Sequence, residues 1–321
     1  MIQYPWLQEY INQWLGFLLN QKVPHALLLS GSKGFAKKEL AQLMAHYAIC
    51  ESLTDKGPCQ TCKGCQLYNS GNHTDIITIT AEKEIIKVDQ IRNLTKSVVL
   101  SSTRNQYKIM IIEDAEKMNT ASANALLKTL EEPPTNVVLI LTTSEISYLL
   151  PTIKSRCFKI NLKSVNGKLL NNFLIDDKLG SPEDIKQAMM LANNSPLETI
   201  KILENNSLKE VKLVLDDLNQ LINNQSTVLD VSKHWIKNGQ TKNLIFVANY
   251  FLKIVKQFNG INQKGEISPL SNLEKNKKLI NATKLLGFIR KINVYLNRGR
   301  TSLKPELLLE ELLIAWKNDF Q

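Results

Sequence analysis

An α/β domain built on a parallel sheet, followed by an all-helical C-terminal region, is the fold class this sequence predicts. Two observations predict it. Up to about residue 162, short apolar runs rich in β-branched residues alternate with stretches of helical spacing. Beyond about Lys163 the runs stop and helical spacing alone continues. Strands buried on both faces read as near-continuous apolar runs, and parallel strands need crossover helices between them.

Taken in order, Ala26-Leu27-Leu28-Leu29 is the first run and ends in Ser30-Gly31. Lys37–Cys50 follows, with Leu40, Leu43, Met44, Tyr47 and Ala48 at helical spacing. Asp75–Thr80, Lys108–Ile112 and Val137–Thr142 are the further strands, with helices at Val88–Leu100 and Ser122–Glu132 between them. The second helix must stop at Pro133-Pro134, because proline lacks the N–H and clashes with the preceding turn. Ser181-Pro182-Glu183-Asp184 has the form of a helix start: a capping hydroxyl, a proline in the first turn and acids at the positive end of the dipole. Val165–Asn205 reads as a small helical domain. Ser207–Gln225 then places Leu208, Val211, Leu215, Leu218 and Ile222 on one face. Residues 259–269, with Gly260, Gly265 and Pro269, read as a loop, and a last helix starts near Pro305 and runs through Leu307, Leu308, Leu312, Ile314 and Trp316. The expected domains are 1–162, 163–205 and 206–321. No internal repeat or low-complexity tract interrupts them.

The 321 residues are 43% hydrophobic and 22% charged, the balance of a soluble globular chain of two or three domains. No apolar run reaches the ~18 residues of a membrane span. Met1-Ile2-Gln3-Tyr4-Pro5-Trp6 lacks the basic and apolar regions of a secretory signal, so a cytosolic location is expected. The net charge of +10 suits proximity to phosphate backbones. Its lysines and arginines are dispersed, however, and a Lys- and Asn-rich composition alone gives such a charge.

Gly31-Ser32-Lys33-Gly34-Phe35-Ala36-Lys37-Lys38 lies between a strand and a helix, where a phosphate-binding loop belongs. A working loop reads G-x-x-x-x-G-K-[ST]: glycines wrap backbone N–H groups around phosphate, the lysine reaches the β/γ-phosphates and the hydroxyl holds magnesium. Gly31, Gly34 and Lys37 survive here. Ala36 replaces the glycine before the lysine, and Lys38 puts an ammonium in place of the magnesium ligand. The third strand ends in Glu113-Asp114, the reverse of the Asp-Glu order that assists magnesium and polarises the attacking water. The loop therefore predicts a tight turn or a non-catalytic nucleotide contact, with no hydrolysis and no ATP or Mg2+ turnover. The two acids predict a strand end that starts the next helix.

Cys50, Cys59, Cys62 and Cys65 are spaced C-x8-C-x2-C-x2-C, with Gly57, Pro58 and Gly64 to supply turns. In a reducing compartment such clustering points to metal. Four thiolates complete tetrahedral zinc and leave no open position, so the expected role is structural. Cys50 ends a helix and could be core instead, with His46 or His73 as substitutes. A redox cluster is the competing reading. Cys157 stands alone and reads as a small structural residue.

Asn124-Ala125-Leu126-Leu127-Lys128-Thr129-Leu130-Glu131-Glu132-Pro133-Pro134, then a strand, then Ser155-Arg156-Cys157, resembles the clamp-loader branch of the AAA+ superfamily, that of bacterial DNA polymerase III. The resemblance is strong over residues 1–160 and holds in outline beyond. Tyr4-Pro5-Trp6-Leu7 and the degraded loop are similar to its delta-prime type. Asn194-Ser195-Pro196-Leu197 stands where motor subunits carry a nucleotide-sensing Gly-Ser-x-Arg segment, and it has no arginine. The resemblance implies an AAA+-type domain with a zinc insertion at about 50–65, a helical lid and a collar that assembles a five-subunit ring. It implies partners: motor subunits, a clamp-opening delta subunit, and transient proximity to the sliding clamp and primer–template DNA. It also implies that Arg156 projects into a neighbouring subunit's ATP site. An active ATPase motor with an unusual loop is the first alternative. A free-standing zinc-dependent DNA-binding protein is the second.

Overall fold

The computed structural model describes residues 4–98, 107–258, 281–298 and 304–321. The loop expected at 259–269 lies outside them. The chain forms two compact units, Met1–Val165 and Asn166–Gln321.

The first unit is a five-stranded, all-parallel sheet with helices on both faces. Its strands are β1 (Ala26–Ser30), β2 (Ile76–Ile79), β3 (Lys108–Ile112), β4 (Val137–Thr143) and β5 (Phe158–Asn161), in the order β2-β3-β4-β1-β5. Leu28 pairs with Leu141 on one side and Lys159 on the other. The three central strands are buried along their whole length, as their unbroken apolar runs require. Helices α1 (Gln8–Leu19), α2 (Lys37–Ile49), α3 (Lys63–Asn69), α4 (Val88–Val98), α5 (Thr120–Glu131) and α6 (Pro151–Arg156) complete the unit. Leu28, Met110, Ile112, Leu139 and Leu141 share one core with Ile91 and Leu94 of α4, Leu126 and Leu130 of α5 and Ile153 of α6. The opposite face is covered by α2, onto which α1 packs through a Trp14 Nε1–H bond to Met44 O of 2.8 Å.

The expected strands appear with shifts of a residue or so at their ends. The helix expected from Ser122 begins two residues earlier, because the Asn119 side chain accepts the Ser122 N–H and caps it. Four elements were not foreseen. β5 is an edge strand with Ile160 alone buried, so it shows no apolar run. α3 and α6 are short. α1 does carry a readable signal, Ile11, Trp14 and Leu18 at helical spacing.

The second unit contains eight helices among the described residues: α7 (Gly167–Asp176), α8 (Pro182–Leu191), α9 (Pro196–Glu204), α10 (Ser207–Ile222), α11 (Val228–Lys237), α12 (Leu244–Phe258), α13 (Ala282–Arg298) and α14 (Pro305–Phe320). Ser181 caps α8 as expected: its hydroxyl accepts the Asp184 N–H at 3.2 Å and donates to the Asp184 carboxylate at 2.7 Å. All five apolar residues expected on one face of α10 are buried. Aromatic rings fill the centre, where Trp316 stacks on Phe251 at 5.4 Å and lies 4.1 Å from Phe320. Its indole N–H reaches Leu218 O at 2.9 Å, so the buried donor is satisfied. No helix among the described residues is long and apolar enough to cross a membrane.

Candidate functional site

The C-terminal ends of β1 and β3 face the loop 31–36 and the acids Glu113-Asp114. Ligands of open parallel sheets bind outside this edge. Gly31 and Gly34 both have positive φ, 154° and 81°, and a Cβ on Gly31 would lie 2.9 Å from Leu162 O. Ala36 is left-handed at φ 61°, ψ 37°, a region that costs a non-glycine residue about 1–2 kcal/mol. Three residues between β1 and α2, Gly31, Gly34 and Ala36, thus have positive φ, and the last does so without being a glycine.

Lys37 and Lys38, at the end of the loop, are both already engaged. Lys37 is buried, and its ammonium donates to Gly31 O and Ser32 O, each at 2.8 Å. Burial lowers its pKa, against the pull of Glu116 and Asp114. Lys38 Nζ lies 3.0 Å from Glu113 Oε2 and 2.9 Å from Asp114 Oδ2. It takes the position between the two acids that a shared cation would occupy. Burial works against its charge, but the hydrogen bonds to Asp114 and Glu113 outweigh that and raise its pKa. Asp114 also holds the turn that the acids were expected to start. It is left-handed at φ 51°, ψ 55°, its N–H bonds Thr142 Oγ1 at 3.1 Å, and the single turn Ala115–Lys117 follows.

Arg156 ends α6, which Pro151 opens. Its Nη1 donates to Thr152 O at 3.0 Å, and its Nη2 pairs with Glu131 Oε1 of α5 at 2.9 Å. The side chain remains 36% exposed. Glu131 is part of the Leu-Leu-Lys-Thr-Leu-Glu-Glu-Pro-Pro segment, which by itself predicts no role for it. Nothing in local spacing connects it to an arginine two elements later. Cys157 is buried, and that burial pushes its thiol up to about 11, as suits a structural residue.

The four clustered cysteines converge between α2 and α3. Their sulfurs all lie within 4.8 Å of one another. Tetrahedral zinc with Zn–S bonds near 2.3 Å sets its ligands about 3.8 Å apart, so the group fits such an ion with a small contraction. Cys59 N–H points to Cys50 Sγ, Cys62 N–H to Cys59 Sγ and Cys65 N–H to Cys62 Sγ, each at 3.3 Å. N–H donors favour thiolate, the form that binds metal. The backbone N–H groups of Cys62 and Thr61 hold Cys59 down to about 6, whereas burial pushes Cys50 and Cys65 up. Gly64 is required here because a Cβ would collide with Ile49 O. The two candidate substitutes for Cys50 are used elsewhere. His46 stacks on Tyr68 at 4.1 Å, and His73 Nδ1 accepts the Asp75 N–H at 3.1 Å.

The family model described as DNA polymerase III, delta subunit, matches residues 6–166. The DNA polymerase III subunit delta' of Pseudomonas aeruginosa is 34% identical over 236 residues, 72% of this chain and 71% of that one. The subunit delta' of Buchnera aphidicola subsp. Schizaphis graminum is 26% identical over 332 residues, 98% and 97% of the two chains. Among solved structures, a DNA polymerase III gamma subunit-related protein from Thermotoga maritima aligns with a TM-score of 0.53 at 20% identity, covering 98% of this chain and 99% of that one. That likeness speaks for the fold.

Proposed function

The chain belongs to the DNA polymerase III delta-subunit family, and on that premise we propose that it is a clamp-loader subunit of the delta-prime type. In this reading it hydrolyses no ATP, supplies Arg156 in trans to the ATP site of a neighbouring motor subunit, and helps to load the sliding clamp onto primer–template DNA. The observation that carries the reading is the position of Lys38. Its ammonium bonds both Glu113 and Asp114, the residues that would otherwise attend magnesium and water. The motor alternative would have to displace that ammonium before any metal could enter.

Arg156 has the chemistry of a finger: a planar, permanently charged fork that stabilises charge on a transferring phosphoryl group. Residues 163–205 serve as a lid and 206–321 as the collar of a heteropentamer with the motor and clamp-opening delta subunits. Cys50, Cys59, Cys62 and Cys65 would hold a structural zinc, which cross-links a short loop that has little core of its own.

The test is DNA-dependent ATP hydrolysis by the reconstituted loader, with wild-type chain and with Arg156→Ala, beside the isolated chain. Arginine fingers of GTPases contribute about 10³–10⁵ in rate, and a loss of about tenfold or more at the neighbouring site is expected in a complex that still assembles. The isolated chain should be silent. Turnover by the isolated chain would reject the non-hydrolysing role, and an unchanged mutant loader would remove the finger.

A further inference from the structure

We propose that Glu131 is a positioning residue for Arg156, holding the guanidinium ready for the neighbouring subunit's phosphates; this rests on the finger role proposed above. An arginine at the end of a helix is free to swing, and ordering its long side chain costs rotamer entropy. Here two of its five N–H groups are already committed, one to Thr152 O at 3.0 Å and one to Glu131 Oε1 at 2.9 Å. Three N–H groups remain for an incoming anion. The two anchors belong to α6 and α5, whose Ile153, Leu126 and Leu130 lie in one buried core, so the guanidinium is tied to a rigid base.

Helix stability does not explain the acid. Glu131 is the last residue of α5, where the dipole is negative and a carboxylate is disfavoured. Nor does the ion pair explain itself as a fastening, because its partners are 36% and 49% exposed and pairs so exposed contribute little to stability. What the pair does fix is direction, and a group set in place before reaction saves entropy at the barrier.

The experiment compares loaders reconstituted with wild-type chain, Glu131→Gln, Arg156→Ala and the double variant. Glutamine keeps the shape and removes the charge. The expected result for Glu131→Gln is a fall of about tenfold in kcat at the neighbouring site, with KM for ATP little changed and assembly intact. In the Arg156→Ala background the same change should have no further effect, because Glu131 acts only through the arginine. A rate that is unchanged or raised in Glu131→Gln, while Arg156→Ala is impaired, overturns the positioning role alone; a raised rate would mean that Glu131 restrains the finger. An unaffected Arg156→Ala loader sinks the finger and this inference together.

Discussion

Replacing Lys38 with methionine removes the ammonium and keeps most of the side-chain volume. Glu113 and Asp114, whose side chains are 13% and 25% exposed, are then left side by side, with only the more distant Lys117 ammonium, 3.9 Å from Asp114 Oδ2, as counter-charge. A charged hydrogen bond in a buried site contributes about 1.5–3 kcal/mol. Lys38 is 44% exposed, so solvent screens both of its bonds, and a total loss of about 1–2 kcal/mol is the appropriate scale. For a unit of this size that amounts to a drop in Tm of about 2–8 °C. Magnesium supplies the second half of the test. In Lys38→Met the two carboxylates can receive a divalent cation, so millimolar Mg2+ should recover part of the lost Tm, while the wild type should ignore it. Differential scanning calorimetry with and without Mg2+ reads both. If the variant melts with the wild type, or if Mg2+ stabilises the two equally, the ammonium does not hold the cation position and the central argument for a silent site fails.

Two further outcomes follow from other parts of the first unit. Gly64→Ala should lose its metal, because the added methyl cannot fit against Ile49 O without moving the loop that carries Cys62 and Cys65; zinc per folded chain, by elemental analysis, should fall from about one to near zero. His46 has its pKa lowered to about 4 by burial and then by His73, and its buried Nε2 has no hydrogen-bond partner. The unfolded chain therefore takes up a proton below about 6.5 that the folded chain refuses until about 4. Stability is complete above that window and is lost as pH falls through it, by about 2 kcal/mol at pH 5. Urea titrations at pH 7.5 and 5 should show this slope, and His46→Phe, which keeps a ring against Tyr68, should flatten it.

The central strands and the cysteine set were legible because each is written locally. Ile109–Ile112 is an unbroken apolar run, and the strand that holds it is buried throughout. The spacing of four cysteines named the same four whose sulfurs the structure gathers within 4.8 Å of one another, Cys50 among them. The loop was legible as a defect, since Ala36 and Lys38 stand where glycine and a hydroxyl belong. Where Lys38 goes was not, because its Asp114 partner lies 76 residues away and only the pairing of β1 and β3 around β4 brings them together. Arg156 and Glu131 have the same history. The two residues sit in motifs visible in the sequence, but their contact depends on how α5 packs on α6. β5 stayed hidden for a different reason: with Phe158, Lys159 and Asn161 exposed, an edge strand has no pattern to show.

A dissociable cation occupies its site in proportion to its concentration, and its occupancy rises and falls with supply. Lys38 is delivered by a tether of four methylenes on the first turn of α2, so its local concentration is set by chain geometry and is the same in every folded copy. The acids at the end of β3 are thus insulated from swings in magnesium. An acidic pair with its counter-ion covalently attached keeps one charge state whatever the solution supplies, which a site that exchanges its cation does not.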